Sequence, residues 1–337
     1  MRARPQWSVY EKLTGISVFI GVPERIVAGA LALVCGSDSM RTRTTIRRFA
    51  LLTGALALAP PLSAQPAPQW GAVDQALGRA GTTQADGVRR YGFPRSDLHV
   101  RLDGVDIKPA LALGSWLAFQ PMGASSVVMG DLVLTPEEVN PVMSALLKGG
   151  IHVTAVHNHL LRSSPETIYM HVRGAGDPAR MAGAIRAALA LSHTPLGGAP
   201  AAPQPAKIDL DTAALDRMMG RSGKISGGVY QYSFPRAENI VEGGMPEPAS
   251  MGTGTGINFQ PLGGGKAATT GDFVLLAGEV DPVMRMLRSS GIEVTALHSH
   301  MLGELPTIYF MHFWAVGDAA RLAAGLKRAI DLTNVQR

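Results

Sequence analysis

Two pairs of histidines, each pair separated by a single residue, are the part of the sequence best suited to chemistry. His157 and His159 follow the apolar-rich stretch 151–155, and His298 and His300 follow the matching stretch 292–296. Residues i and i+2 of a strand point to the same face, so each pair can present two imidazoles together and extend the buried row before it. Two imidazoles at this spacing can share a transition-metal ion.

A third histidine is available to each pair. We predict that His171 and His312 lie on the strand after each pair. If a short hairpin places residue 157 opposite residue 169, His171 is diagonal to His157 on one face. The two predicted metal sets are His157, His159 and His171 in one site, and His298, His300 and His312 in the other. Three imidazoles around one point suit Zn²⁺ or Cu²⁺. The alternative is six neutral core histidines with hydrogen-bond partners of their own.

Among the acidic residues, Glu304 is the best candidate for a role beside the histidines, because it follows His300 by four residues. It could act as a ligand, as a hydrogen-bond partner of an imidazole or as a general base, or be an exposed turn carboxylate. The other carboxylates have structural explanations. Asp131 and Asp272 follow glycine and suit turns, and Glu138 and Glu279 lie near predicted helix starts.

The histidines belong to a tandem duplication with an offset near 141 residues. Its matched segments are Phe93-Pro94-Arg95 and Phe234-Pro235-Arg236, Gly130-Asp131 and Gly271-Asp272, Pro141-Val142-Met143 and Pro282-Val283-Met284, and Ile168-Tyr169 and Ile308-Tyr309. The last match requires a one-residue insertion at Phe310. We predict copy one at 67–193 and copy two at 207–335, joined by a linker at 194–206 that is rich in Pro, Ala and Gly.

Within each copy the patterns predict the order β-α-β-β-α. This order favours an α+β fold of two tandem ferredoxin-like layers, each with an extra N-terminal helix and additional strands. The first of these helices is predicted to begin at Asn140-Pro141 and at Asp281-Pro282, with a capping box at Thr135 as an earlier start in copy one. We expect the copies to pack by a pseudo-twofold; the alternative is two beads on a flexible linker.

These segments resemble a family of unknown function typified by the mycobacterial LppY/LpqO lipoproteins. The resemblance rests on 271–275, 291–304 and 311–314 in copy two, and on 153–159 with Met170-His171 in copy one. It implies an exported or envelope-associated protein and supplies no activity. Copy one departs from the pattern, with Arg162-Ser163-Ser164 in place of Gly303-Glu304 and Arg173 in place of Trp314. The sequence lacks a convincing lipobox, so the resemblance does not extend to a lipid anchor.

Residues 1–64 are typical of a targeting segment. They hold eight Lys/Arg and three Asp/Glu, whereas the rest of the chain holds 23 of each. An arginine-rich stretch after Met40, a possible true start, precedes the apolar run 49–59 and a small-residue cleavage pattern before Gln65. We therefore expect a periplasmic or extracellular mature protein without a membrane span. Its balanced charge gives no compositional support for nucleic-acid binding. Cys35 is the only cysteine, so the mature part has no thiolate metal ligands.

Three functions fit these observations. The first is an envelope binding protein with a histidine-lined site for a transition metal in each copy. The second is a non-catalytic module that binds peptidoglycan or another envelope polymer. The third is a metal-dependent hydrolase with Glu304 as base. The sequence shows no nucleophile motif, and Gly263-Gly264-Gly265-Lys266 lacks the Ser or Thr of a P-loop. We therefore expect a binding protein rather than an enzyme.

Overall fold

Each copy of the duplication folds into a six-stranded antiparallel sheet with helices on one face. The computed structural model describes residues 70–197 and 208–336, which lie in one compact unit. The predicted targeting segment 1–64, including Met40 and the cleavage position, and residues 198–206 of the predicted linker lie outside the described residues.

The elements follow the same succession in both copies, except that copy two has a 3₁₀ helix in place of the second α-helix and one additional short strand. Copy one contains α1 (Trp70–Leu77), β1 (Thr82–Thr83), β2 (Arg89–Pro94), β3 (Arg101–Leu102), β4 (Val105–Asp106), α2 (Pro109–Ala112), β5 (Gly114–Met122), β6 (Ser125–Leu134), α3 (Pro136–Lys148), β7 (His152–His157), β8 (Ile168–Gly176) and α4 (Pro178–Leu189). Its main sheet has the strand order β1-β2-β5-β6-β8-β7. The predicted order β-α-β-β-α is therefore present from β6 to α4, while the ferredoxin-like layering stays a prediction.

Copy two contains α5 (Thr212–Met219), β9 (Lys224–Ser226), β10 (Val229–Pro235), β11 (Val241–Glu242), β12 (Met245–Pro246), a 3₁₀ helix (Ala249–Met251), β13 (Gly254–Gly263), β14 (Lys266–Leu275), α6 (Ala277–Ser289), β15 (Glu293–His298), β16 (Glu304–Leu305), β17 (Tyr309–Asp318) and α7 (Ala319–Ile330). The main sheet has the order β15-β17-β14-β13-β10-β9, the counterpart of the sheet in copy one.

Helix α3 begins one turn earlier than its internal proline suggested. The carboxylate of Glu138 accepts a hydrogen bond from the backbone N–H of Thr135 at 2.9 Å, which fixes the first turn at Pro136. Pro141 lies inside the helix. The predicted start at Asn140-Pro141 is therefore wrong and the alternative at Thr135 is confirmed. The predicted start in copy two is wrong for the same reason, because Glu279 accepts from the backbone N–H of Leu276 at 2.7 Å.

The two copies pack through reciprocal arms. Arm one, residues 98–113 of copy one, forms an apolar cluster with Val229, Ala268 and Trp314 of copy two. Arm two, residues 240–251 of copy two, packs in the same way against Val88, Ala118, Val127 and Met129 of copy one. Apolar burial of this kind is the main stabilising contribution to such an interface. Equivalent segments of the two copies thus contact the opposite copy reciprocally, which favours the predicted pseudo-twofold.

A bulge in β7 decides which way the histidines face. The pairing of β7 with β8 is irregular between Val153 and Ala155, so that Val153 lies opposite Val172 while Ala155 lies opposite His171. Val153 and Val172 pack against the helices, and the bulge turns the following residues to the other face. The prediction that His157 continues the buried row of Val153 is therefore wrong, because the extra residue of a bulge breaks the alternation of side chains. The same bulge recurs in β15.

Within 70–197 and 208–336, no helix combines the length and the apolar composition needed to cross a bilayer.

Candidate metal centre between the two copies

The six histidines of the two predicted sets form one cluster between the sheets. Each histidine stacks on a histidine of the other copy. The three ring-centroid distances are 3.5 Å for His157 and His298, 3.5 Å for His171 and His300, and 3.6 Å for His159 and His312. The structure therefore places both predicted sets in a single centre to which both copies contribute.

The predicted pseudo-twofold would map the central stack onto itself and exchange the two outer stacks. The ring of Tyr169 covers His159 at 3.4 Å, and the ring of Phe310 covers His300 at 3.4 Å. Each outer stack thus has three rings, and the pair of His157 and His298 lies between them. Strands β8 and β17 supply one histidine each. The other four histidines lie at the ends of β7 and β15 or two residues after those ends.

The strand register that brings His171 near His157 is the predicted one. His157 lies opposite Tyr169 on β8, and the His157 and His171 ring centroids are 5.0 Å apart. In copy two, His298 lies opposite Phe310. Tyr169 therefore corresponds to Phe310, not to Tyr309, and the offset of 141 holds through this hairpin. The one-residue insertion proposed at Phe310 is wrong.

The imidazole nitrogens are close enough for shared ligation. Two groups of four histidines each offer ligand atoms that all lie within 4.8 Å of one another. The groups are His157, His159, His171 and His300, and His157, His159, His298 and His312. Both groups combine residues of the two copies. A transition metal bound here would therefore hold the copies together.

One ring nitrogen of each histidine, Nε2, is buried. The Nε2 atoms of all six have no hydrogen-bond partner among the described residues. Buried polar side-chain atoms in proteins are normally paired, and leaving one unpaired costs about 1–3 kcal/mol. Six such nitrogens within one cluster offer a set of lone pairs of the kind that binds a metal ion.

The tautomer of one histidine is fixed by the backbone. His312 Nδ1 lies 3.1 Å from the carbonyl oxygen of Gly271. A carbonyl only accepts, so Nδ1 carries the hydrogen and donates, which leaves the lone pair of Nε2 free. Such a bond from the second ring nitrogen is the usual way in which a protein orients a metal-binding imidazole.

All six histidines are neutral at pH 7. Burial lowers the pKa of His157 to about 4 and, with the neighbouring His157, lowers the pKa of His298 to about 3. Burial, together with repulsion from the other imidazoles of the cluster, lowers the pKa values of the remaining four histidines well below the ordinary value. Neutral imidazole is the form that binds a metal ion.

Two aspartates that the sequence interpretation assigned to turns belong to this centre. Asp131 lies within β6 opposite His171, and Asp272 lies within β14 opposite His312. An oxygen of Asp131 is 3.8 Å from His171 Nε2. Burial, and then the charge of Asp272, raises the pKa of Asp131 well above its usual range, and burial raises the pKa of Asp272 to about 7. The recurrence of Gly-Asp at the histidine offset was the signal that could have identified them.

A cavity leads to this centre. It has a volume of about 1130 Å³ and is lined by His159, His171, His300 and His312, by both aspartates, and by Arg90, Arg221 and Lys224. Both copies line it. Four of the six imidazoles therefore line this cavity; three of them are buried, and His159 is half-buried.

The sequence matches the family described as Domain of Unknown Function (DUF1259) twice, over residues 71–191 and 213–332. The chain belongs to this family. Both matches fall inside the predicted copies 67–193 and 207–335. No curated protein matches the sequence.

Two crystal structures show distant likeness to this DUF1259 protein. PduB, a trimeric bacterial microcompartment shell protein, has 13% identity over 75% of this chain and 89% of that chain, with a TM-score of 0.20. EtuB from Clostridium kluyveri has 10% identity over 74% of this chain and 88% of that chain, with a TM-score of 0.22. At TM-scores this low, neither likeness bears on the fold or the function.

Glu304 has a structural place in the second DUF1259 copy. Its side chain is buried and accepts a hydrogen bond from the backbone N–H of Ile308 at 3.0 Å. The residue also pairs with Glu242 of arm two as part of β16. Glu304 is in neither group of close ligand atoms. The structure therefore gives it a role in holding the hairpin that carries His300.

Copy two has Trp314 where copy one has Arg173, and both residues contact an arm of the opposite copy instead of the histidines. The indole N–H of Trp314 donates to Asp103 of arm one at 3.0 Å, and its ring packs with Leu102. Arg173 instead forms ion pairs with Glu242 and Glu247 of arm two, at 2.6 and 2.7 Å. The two DUF1259 copies thus make equivalent contacts with different chemistry, and the histidine set is complete in both.

Proposed function

We propose that this protein binds a transition-metal ion, Zn²⁺ or Cu²⁺, in a histidine centre built by both copies. The single observation that carries the proposal is the convergence of six buried Nε2 atoms without hydrogen-bond partners among the described residues. Neutral imidazoles are the preferred ligands of these two metals when thiolates are absent. The sequence analysis expected a separate site within each copy; the proposal is instead a composite site whose ligands come from both copies.

The spacing of the nitrogens fits this proposal after small side-chain rotations. Two nitrogens on one zinc ion at about 2.1 Å lie at most about 4.2 Å apart. The ligand atoms of each four-histidine group are within 4.8 Å of one another, so rotations about the side-chain torsions suffice to close them around an ion. The hydrogen bond from His312 to Gly271 keeps at least one ring in its binding orientation during such a movement.

The protein is further proposed to act in the cell envelope. The resemblance to the LppY/LpqO lipoproteins and the targeting pattern before Gln65 support this location. N-terminal sequencing of the protein from a periplasmic fraction tests it. A mature chain beginning near Gln65 is expected, and an intact segment 1–64 on protein from the cytoplasmic fraction would contradict it.

Metal content decides the binding proposal. The full chain, untagged, is loaded with Zn²⁺, passed through a desalting column and analysed by plasma mass spectrometry. We expect retained zinc in the wild type and a loss of at least tenfold in a variant with His298→Ala and His300→Ala. The matched control changes the exposed His99 and His152 to alanine and retains the metal. Zinc-free wild-type protein, or equal retention in the cluster variant, would contradict the proposal.

A metal-dependent hydrolase is a second candidate, favoured by one specific observation. The cavity is lined by four of the histidines and by the buried carboxyl groups of Asp131 and Asp272, so a small molecule bound there would contact both kinds of group. A metal ion can lower the pKa of a bound water, and a nearby carboxylate can act as its base. In this version the base is one of these aspartates instead of Glu304. Turnover of phosphate or acyl esters by zinc-loaded protein, lost in Asp272→Asn while zinc is retained, would favour hydrolysis over binding.

A further inference from the structure

We propose that the centre holds two metal ions, each bound by three histidines in a set that spans the two copies. Set A is His157, His171 and His300. Set B is His159, His298 and His312. This inference rests on the metal-binding function proposed above and adds the number of ions and the division of the ligands.

The division into these sets follows from the pseudo-twofold. The operation exchanges His157 with His298, His171 with His312, and His300 with His159, so that it converts set A into set B. The distances agree with this exchange. His171 and His300 are 3.5 Å apart and His157 and His171 are 5.0 Å apart; the equivalent distances in set B are 3.6 and 4.9 Å. Each group of close ligand atoms contains one complete set.

Two ions also account for all six unpaired nitrogens. A tetrahedral zinc ion takes four ligands at most. A single ion would therefore leave at least two Nε2 atoms buried without a partner. Two ions with three imidazoles each use all six. Three imidazoles leave each ion a position for water or a ligand, and the cavity reaches two histidines of each set.

Two buried carboxyl groups lie beside the histidines, one next to each proposed ion. Asp131 lies opposite His171 of set A, and Asp272 lies opposite His312 of set B. One oxygen of Asp131 is buried and unpaired among the described residues. Each set therefore has one carboxyl group beside it, and its carboxylate form would offset part of the charge of the bound ion.

The two ions would be close neighbours. The ligand atoms of His157 in set A and His159 in set B lie within 4.8 Å of each other. Because each ion lies about 2.1 Å from its nitrogen, the ions are separated by less than about 9 Å. Two Cu²⁺ ions at this separation broaden each other's electron paramagnetic resonance signal, which gives a readout independent of stoichiometry.

The test measures bound Cu²⁺ per chain and its resonance spectrum in the full-length protein and in two single variants. His300→Gln removes a ligand from set A, and His159→Gln removes the equivalent ligand from set B. We expect two ions in the wild type with a broadened spectrum, and one ion in each variant with a narrow spectrum. The double variant is expected to bind none at the centre. Circular dichroism and urea unfolding confirm that each variant is folded, and His300→Ala and His159→Ala serve where glutamine prevents folding.

The possible failures can be told apart. One ion per wild-type chain with a narrow spectrum would overturn the two-ion proposal and leave the metal-binding function standing. A mononuclear site built from His157, His159, His171 and His300 predicts that either single variant loses its only ion. No bound ion in the wild type would overturn the metal-binding function itself.

Discussion

His171 of copy one and His300 of copy two stack with their ring centroids 3.5 Å apart. His171 lies on β8 of copy one, and His300 lies two residues after the end of β15 of copy two. Their contact depends on the packing of the copies, because the two residues belong to different copies. A metal centre at this contact makes the duplication itself a requirement for binding, since neither copy supplies the complete set.

Binding of the metal should stabilise the folded chain. An ion that binds only the native state stabilises it by RT ln(1 + [L]/Kd), or about 2.7 kcal/mol when the free ion is at a hundred times Kd. We expect Zn²⁺ to raise the melting temperature of metal-free protein and a chelator to reverse the shift. Calorimetry of the His99→Ala, His152→Ala control should show the same shift. An equal shift in the His298→Ala, His300→Ala variant would show that the zinc binds elsewhere.

The ion pairs of Arg173 should contribute strongly to the packing of arm two. Glu247 has 3% of its surface exposed and shares Arg173 with Glu242. Removing one partner of a buried pair costs about 3–5 kcal/mol, because the remaining charge stays buried. Arg173→Ala is expected to lower the free energy of urea unfolding by about this amount. Arg285→Ala, which breaks the exposed pair with Asp281, should cost less than about 1 kcal/mol.

The contact of Trp314 suggests a rescue. Trp314 is the counterpart in copy two of Arg173 in copy one, and it belongs to one apolar cluster with Leu102 and Ile107 of arm one. Because these correspond to Glu242 and Glu247, the triple variant Arg173→Trp, Glu242→Leu, Glu247→Ile should be more stable than Arg173→Ala. Urea unfolding compares them. A triple variant no more stable than Arg173→Ala would show that the ion pairs and the apolar contact are not equivalent.

Gly271 should be required for the position of His312. Its carbonyl oxygen accepts the bond from His312, and a Cβ at this position would overlap the carbonyl oxygen of Gly256 on β13. Gly271→Ala is expected to lower the free energy of unfolding by about 2 kcal/mol or more, since backbone must move. Gly278→Ala places its Cβ in open space in α6 and should be neutral or slightly stabilising. If the two variants had equal free energies of unfolding in urea, the close contact between Gly271 and Gly256 would not be what excludes a side chain at position 271.

The metal-free protein should lose stability on acidification. The pKa of His157 is lowered to about 4 and that of His298 to about 3, whereas unfolded histidines titrate near 6.5. The unfolded state therefore binds more protons than the folded state below pH 6.5, and stability falls from there toward pH 4. Asp131 and Asp272 have raised pKa values, so they favour the folded state on acidification. These two aspartates oppose six histidines with lowered pKa values, and we expect the histidines to dominate. Urea unfolding at pH 7.5, 6 and 5 measures the slope, which should decrease in His157→Gln with His298→Gln.

Local patterns in the sequence were sufficient for the order of the elements from β6 to α4, for the capping box of α3 and for one strand contact. The capping box at Thr135 and the register of His157 opposite Tyr169 depend on neighbouring residues, and both are found. The bulge after Val153 could not be predicted, because nothing in its composition marks the extra residue. The direction of that bulge decides which face the histidines occupy.

The composite nature of the centre could not be predicted from either copy alone. The stacking of His157 on His298 requires the relative position of two domains, which hydrophobic periodicity does not encode. Asp131 was assigned to a turn because it follows Gly130, whereas β6 begins six residues before it, at Ser125. The buried acidic residue in the middle of that strand became a candidate only when the facing histidines were placed beside it.

Anomalous diffraction from crystals grown with Zn²⁺ tests the central claim most directly. Data collected on both sides of the zinc absorption edge locate the metal and identify its ligands in one experiment. We expect zinc within about 2.1 Å of imidazole nitrogens from both copies, with His300 beside His171 or His159 beside His312 around the same ion. Zinc bound only by histidines of a single copy, or six histidines without zinc at full loading, would contradict it.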